Sequence, residues 1–71
     1  MTTQLQGIGT VPAIPARDLK PGMIIRWNFG YTALVLDVFP SDSGKILIAV
    51  IQENGKVYNR RFSASTAIAT A

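Results

Sequence analysis

The chain contains no cysteine and no histidine among its 71 residues. Without cysteine, no disulfide can stabilise a domain of this size, and without either residue the usual zinc sites cannot form. The commonest catalytic base, imidazole, and the strongest side-chain nucleophile, thiolate, are absent as well. A single domain this short buries barely enough apolar surface to fold alone, so tight strand packing or association with another molecule must supply the rest.

Charge is also scarce. Charged residues make up 15% of the chain, with seven Lys and Arg against four Asp and Glu, for a net charge of +3. The four acids are dispersed and lack the spacing of a catalytic carboxylate pair, so we predict that the chain is not an enzyme. We also predict no metal, no cofactor and no small-molecule substrate. Dedicated nucleic-acid binders of this size usually carry a denser basic stripe.

Long apolar runs are missing. No stretch approaches the roughly 18 consecutive apolar residues of a membrane-spanning helix. The first residues lack the basic start and apolar core of a signal peptide. We therefore expect no membrane partner, and a cytoplasmic or virion location.

The first sixteen residues carry no charge and are interrupted by Gly, Pro and Thr, which argues against a helix. Their apolar residues recur at every third position, a spacing that suits a polyproline-like strand with one edge buried. These residues are Leu5, Ile8, Val11 and Ile14. We predict an extended arm over residues 1–16 and a small β-barrel over residues 17–71.

Five short strands are predicted in the second part of the chain, with turn residues between them. They cover residues 23–27 and 31–39, the two arms of a hairpin at 45–62, and residues 67–69. Short strands at this spacing, without a helical period, are typical of an all-β barrel.

The hairpin at residues 45–62 is apolar on both faces. Asn54-Gly55 is the strongest short hairpin signal, and it sets a register in which Glu53 pairs with Lys56. One face then combines Leu47, Ala49 and Ile51 with Tyr58 and Phe62, and it is the predicted interior. The opposite face carries Ile46, Ile48, Val50 and Val57, with Asn59 and Arg61 at its rim. Because a small domain can cover only one face, this second face predicts an interaction surface.

Nucleic-acid binding is the alternative. Rings can stack on bases, and Lys and Arg can contact phosphates. The residues with these properties are Arg26, Trp27, Phe29, Tyr31, Lys45, Lys56, Arg60 and Arg61. The competing interpretation is structural, with the Trp27 and Tyr31 rings filling the barrel and the arginines solvated.

Three stretches of the chain resemble the SH3/KOW-like barrel at the start of bacterial elongation factor P and its eukaryotic and archaeal counterpart. They are residues 18–25 (DLKPGMII), 35–38 (VLDV), and 55–57 (GKV) with 61–64 (RFSA). The chain also looks like short barrel proteins of unassigned function from actinobacteria and their phages. The resemblance implies a five-stranded SH3/KOW-like barrel. It places Lys45 nearest to the modified lysine of elongation factor P, but the flanking pattern of that family is absent here. We therefore expect a shared fold rather than a ribosomal function.

Taken together, these patterns predict a non-enzymatic structural or adaptor protein, with a phage virion as the specific setting, as a decoration or head component. Its partner is another protein or a second copy of the chain. The predicted interface comprises Leu5, Ile8, Val11, Ile14, Ile46, Ile48, Val50, Val57 and Arg61. A nucleic-acid-binding module and an inhibitor of a host protein remain the alternatives.

Overall fold

A computed structural model describes residues 1–71 and contains seven strands, two single-turn 3₁₀ helices and no α-helix. The strands are β1 (Thr2–Leu5), β2 (Gly9–Pro15), β3 (Ile24–Arg26), β4 (Thr32–Pro40), β5 (Ile46–Glu53), β6 (Lys56–Ser63) and β7 (Ala67–Ala69). The 3₁₀ turns span Ala16–Asp18 and Asn28–Gly30. The predicted all-β class is confirmed. The structure contains no helix long and apolar enough to cross a bilayer.

The strands form two antiparallel sheets, with the orders β1-β2-β7 and β3-β4-β5-β6. All five strands predicted after residue 17 are present as β3 to β7. They do not close into the predicted five-stranded barrel, because β7 pairs along its length with β2. Strand pairing between the sheets is limited to a bridge between Ile25 and Thr70, followed by a hydrogen bond from the Ala71 N–H to the Ile24 carbonyl at 3.1 Å.

The first sixteen residues differ from the predicted polyproline-like arm. They form a β-hairpin, β1–β2, whose second strand pairs with β7 of the same chain. The physical reason is that burial along this segment alternates with a period of two residues, rather than the predicted three. Val11 and Ala13 are buried, whereas Thr10 and Pro12 between and beside them are exposed. Because alternate residues of a strand point to opposite faces, this pattern fits a sheet strand with one covered face.

The hydrophobic core is small. Twelve residues are buried, all of them apolar, and five of the twelve are alanine. The largest side chains that are fully buried are those of Ile25, Ile51 and Val35. A core with so few large side chains leaves the free energy of unfolding of a 71-residue domain modest.

The β5–β6 hairpin has the predicted register. Glu53 pairs with Lys56, Ile51 with Tyr58 and Leu47 with Phe62. Asn54 and Gly55 both have positive φ angles, 52° and 76°, as a type I′ turn requires. Leu47, Ala49 and Ile51 are buried and Phe62 packs against the core, which confirms the predicted inner face on β5. Tyr58, predicted on the same interior face, is instead 43% exposed, because no strand covers this side of the edge strand β6 near the turn.

Candidate interaction surfaces

The side of the β3–β6 sheet that faces away from the core is apolar and open to solvent. We call it the outer face. Its apolar residues are Ile24, Leu34, Leu36, Phe39, Ile46, Ile48, Val50 and Val57. The exposed fraction of these side chains reaches 59% at Val57, and only Ile46 and Val50 are half-buried. Several apolar side chains exposed side by side are unusual on a small monomer.

Strand pairing makes these residues contiguous. Ile24 pairs with Leu34, which lies next to Gln52, and Gln52 pairs with Val57. In a second row across the sheet, Phe39 pairs with Ile48 and Ile48 with Arg61. Since neighbouring strands lie about 4.8 Å apart, each row is a continuous band of side chains across the sheet. The outer face is therefore one surface rather than scattered residues.

A β-bulge in β4 brings Phe39 onto this face. The β4–β5 register shifts between Val35 and Asp37, so that Leu36 is the additional residue. Ala33 and Val35 point into the core, and without a bulge Phe39 would share their side. After the bulge, Val38 packs against the core instead and Phe39 is exposed. The extra residue thus adds an aromatic ring to the outer face.

Few charges interrupt the outer face. Asp37 lies on β4, in the row of Val50 and Asn59, and its carboxylate accepts a hydrogen bond from the Val38 N–H at 2.8 Å. Arg61 lies on β6, two residues beyond Asn59 and on the same face. These two opposite charges stand on either side of β5. Arg26 lies at the far end of β3.

A groove adjoins the corner of the outer face near Arg61. It has a volume of about 440 Å³. Its lining residues are Phe39, Pro40, Ser41, Ser43, Ile46, Leu47, Ile48 and Arg61. The hydroxyls of Ser41 and Ser43 are 3.2 Å apart and also accept hydrogen bonds from backbone N–H groups of the β4–β5 loop. They hold the loop in place rather than projecting free donors into the groove.

A second surface lies at the opposite end of the sheet, on the core side. We call it the aromatic groove, and its lining residues are Leu5, Trp27, Asn28, Phe29, Tyr31, Glu53 and Arg60. The Trp27 ring stacks on the Phe62 ring, with centroids 6.2 Å apart and an interplanar angle of 26°. The Arg60 guanidinium lies 5.5 Å from the Trp27 ring centroid, within the range of a cation–π contact. The Trp27 indole N–H is buried and has no hydrogen-bond acceptor.

The N-terminal hairpin forms one wall of the aromatic groove. The Gln6 N–H donates to the Asn28 side-chain oxygen at 2.8 Å, and the Phe29 N–H donates to the Gln6 carbonyl at 2.7 Å. Phe29 has a φ of 64°, which is unusual for a bulky residue, and its ring lies against Gly7. A Cβ atom at Gly7 would lie 2.6 Å from that ring, so glycine is required there.

The residues predicted as a protein interface divide into two groups. Ile46, Ile48, Val50, Val57 and Arg61 all lie on the outer face. The four arm residues do not join them. Val11 is buried in the chain's own fold and Leu5 and Ile14 are half-buried, which leaves only Ile8 exposed, at the tip of the β1–β2 hairpin.

The residues predicted to contact nucleic acid are divided as well. Trp27, Phe29, Tyr31 and Arg60 line the aromatic groove, together with Leu5, Asn28 and Glu53. Arg26 and Arg61 belong to the outer face. Lys45 immediately precedes β5, at the end of that strand away from the aromatic groove. Lys56 follows the β5–β6 turn and pairs with Glu53. The structure thus brings the rings together but disperses the cations.

Sequence reasoning missed the half of the outer face that β3 and β4 supply. Ile24, Leu34 and Leu36 could have been found from the sequence. Both β3 and β4 contain apolar residues at consecutive positions, and consecutive residues of a strand lie on opposite faces. The position of Phe39 could not have been found, since it depends on the bulge.

No known protein family, curated protein or solved structure matches the chain.

Proposed function

We propose that the chain is a non-enzymatic binding protein that works by covering its outer face. The observation that carries this proposal is the outer face, on which each of the four strands places exposed or half-buried apolar side chains, from Ile24 on β3 to Val57 on β6, with Gln52 as a polar interruption on β5. Natural sheets usually place polar side chains on a face that stays in water. A face built from Ile, Leu, Val and Phe is suited to contact with another apolar surface.

The free energy available from such a contact is considerable for this molecule. Covering six partly exposed side chains contributes on the order of 10 kcal/mol before entropy costs. That value is comparable with the whole free energy of unfolding of a marginal domain. Association through the outer face would therefore stabilise the fold as well as form the complex.

The strand order supports a distant likeness to SH3/KOW-type barrels. Strands β3 to β6 follow one another as a meander, and the chain then returns to β3 at the Ile25–Thr70 bridge. We propose that residues 23–70 are an open form of that architecture. In a virion, the setting predicted from sequence, a structural protein of this kind would use its outer face to join subunits of the assembly.

Site-specific photo-crosslinking tests the proposal. A photoreactive residue is placed at position 48 on the outer face, or at position 8 as the matched control, and the protein is irradiated in the cells that produce it. Ile48 and Ile8 have nearly equal exposed fractions, 43% and 42%, but lie on different surfaces. We expect protein adducts from position 48 and few from position 8. Equal yields at both positions, or none at position 48, would rule the proposal out.

The aromatic groove supports a second candidate function, the binding of single-stranded nucleic acid. The favouring observation is the exposure of the Phe29 and Tyr31 rings beside the Arg60–Trp27 contact. Stacking of a base on such a ring contributes about 1–3 kcal/mol. The Glu53 carboxylate, which also lines the groove, opposes a phosphate there.

Quenching of the fluorescence of the single tryptophan by oligonucleotides tests this second function. The expected result is binding in low salt that weakens steeply as salt is added. Tyr31→Ala should weaken it, whereas Tyr58→Ala, outside the residues that line the groove, should not. Absence of quenching at low ionic strength would exclude this function.

A further inference from the structure

We propose that the partner of the outer face is a second copy of this chain, and that the two sheets stack in a dimer whose two-fold axis runs along β5. The inference rests on the proposed function and names its partner. Its evidence is the size of the face, the two opposite charges on either side of β5 and the charges on the edge strand β6.

The edge of the sheet is unsuited to self-association. The two edge strands are β3, which has three residues and already meets Thr70, and β6, where Lys56, Arg60 and Arg61 occupy three of the eight positions without any acidic residue. Two copies joined edge to edge would bring these cations together. Positive charges on an edge strand are a common protection against such pairing. Contact between copies is therefore directed to the face of the sheet.

The extent of the outer face matches a dimer interface. Its exposed apolar side chains amount to roughly 500 Å², near the upper limit for the largest patch on a monomer. A stable interface takes about 800 Å² from each partner, so polar residues of the same face, such as Gln52 and Asn59, must contribute to it as well. Two such sheets stacked about 10 Å apart would form a sandwich with a second hydrophobic core.

The charges select the orientation of the two copies. A two-fold axis along β5 places β4 of one copy over β6 of the other, because β4 and β6 flank β5. Asp37 then faces the strand that carries Arg61 of the partner subunit, about 7 Å along it, which an arginine side chain can span. The perpendicular axis would place β4 over β4 and β6 over β6, so that each charge faces the strand that carries a charge of the same sign. Only the first arrangement pairs opposite charges, and symmetry forms the pair twice.

Sedimentation velocity on the full chain, over a wide concentration range, tests the inference. We expect a reversible dimer of the 7.7 kDa chain. Ile48→Asp should raise the dimer dissociation constant at least tenfold, and Ile8→Asp should leave it unchanged. Val57→Lys serves as a second outer-face variant if Ile48→Asp fails to fold, as judged by circular dichroism. A wild-type chain that stays monomeric, or a dimer that Ile48→Asp and Val57→Lys leave intact, overturns the inference.

Charge reversal tests the orientation separately. Asp37→Arg and Arg61→Asp should each weaken the dimer roughly tenfold, since each places like charges opposite one another. The double variant should recover most of the wild-type affinity. A double variant as weak as the single variants overturns the proposed axis.

The failure of this inference can be distinguished from the failure of the proposed function. A monomer that still gives foreign-protein adducts from a photoreactive residue at position 48 excludes self-association but retains binding through the outer face. A monomer without such adducts overturns both.

Discussion

Two neighbouring isoleucines illustrate how burial is divided at the scale of single residues. Ile25 is fully buried in the core, whereas the Ile24 side chain is 50% exposed on the outer face. Both lie in the three-residue strand β3, and alternation along the strand alone separates their surroundings. The same side chain therefore stabilises the fold at one position and is available for association at the next.

Truncation of each isoleucine should separate these roles. Ile25→Ala removes a fully buried side chain from a small core and should lower the free energy of unfolding by about 2–5 kcal/mol. Ile24→Ala is the matched control, for which we expect a loss below about 1 kcal/mol in dilute protein. Urea denaturation monitored by tryptophan fluorescence measures both. Equal losses would contradict the assignment of the two faces.

At the scale of secondary-structure elements, the β5–β6 hairpin could be predicted from sequence and the N-terminal hairpin could not. Asn54-Gly55 determines the turn type and hence the whole β5–β6 register locally. β2 instead depends on β7, more than fifty residues away along the chain. The Gly and Pro residues of β2 predict irregular structure, and no local sequence feature indicates that this segment pairs with β7.

The outer face was predictable to the same extent. The alternation of residues in β5 and β6 places Ile48 and Val57 on the outer face, because the type of turn determines on which face of the sheet each side chain lies. The position of Phe39 on β4 depends on the bulge at Leu36, which reverses the alternation without any marked turn residue. A single inserted residue of this kind is invisible to pattern analysis.

The turn itself provides a test at this scale. Gly55→Val forces a β-branched residue into a positive φ of 76° and should lower the free energy of unfolding by about 1–2 kcal/mol. Asn54→Gly should change it by only a few tenths of a kcal/mol, since glycine accepts the same conformation. Thermal unfolding by circular dichroism compares the two variants. If the glycine and asparagine substitutions had equal effects, the turn would not be of the primed type.

At the scale of the whole molecule, a small core and a large exposed apolar face occur together. Only twelve of 71 residues are buried, and the chain has no cysteine to compensate. Covering the outer face would give the domain the buried surface that its own length does not supply. The net charge of +3 is low enough not to oppose association strongly.

The two candidate functions should respond to salt in opposite directions. Association through an apolar face is strengthened by sulfate, because this salt is excluded from protein surfaces. Binding of nucleic acid to the aromatic groove should weaken with any added salt, since counterions compete for the phosphates. Replacing sodium chloride by sodium sulfate at equal ionic strength, with dimer content measured by light scattering, should raise the dimer fraction. A fall in the dimer fraction would indicate that charge, and not apolar contact, drives assembly.

The measurement that tests the central claim most directly is the concentration dependence of the backbone NMR spectrum of the unmodified chain. If the outer face is covered by a second copy, the amide signals of Leu34, Ile48 and Val57 shift as the protein is concentrated. Those of Ile8, at the tip of the N-terminal hairpin, stay in place. Shifts confined to the β1–β2 turn or to the aromatic groove, or a spectrum that does not change with concentration while the chain sediments as a monomer, would contradict the account.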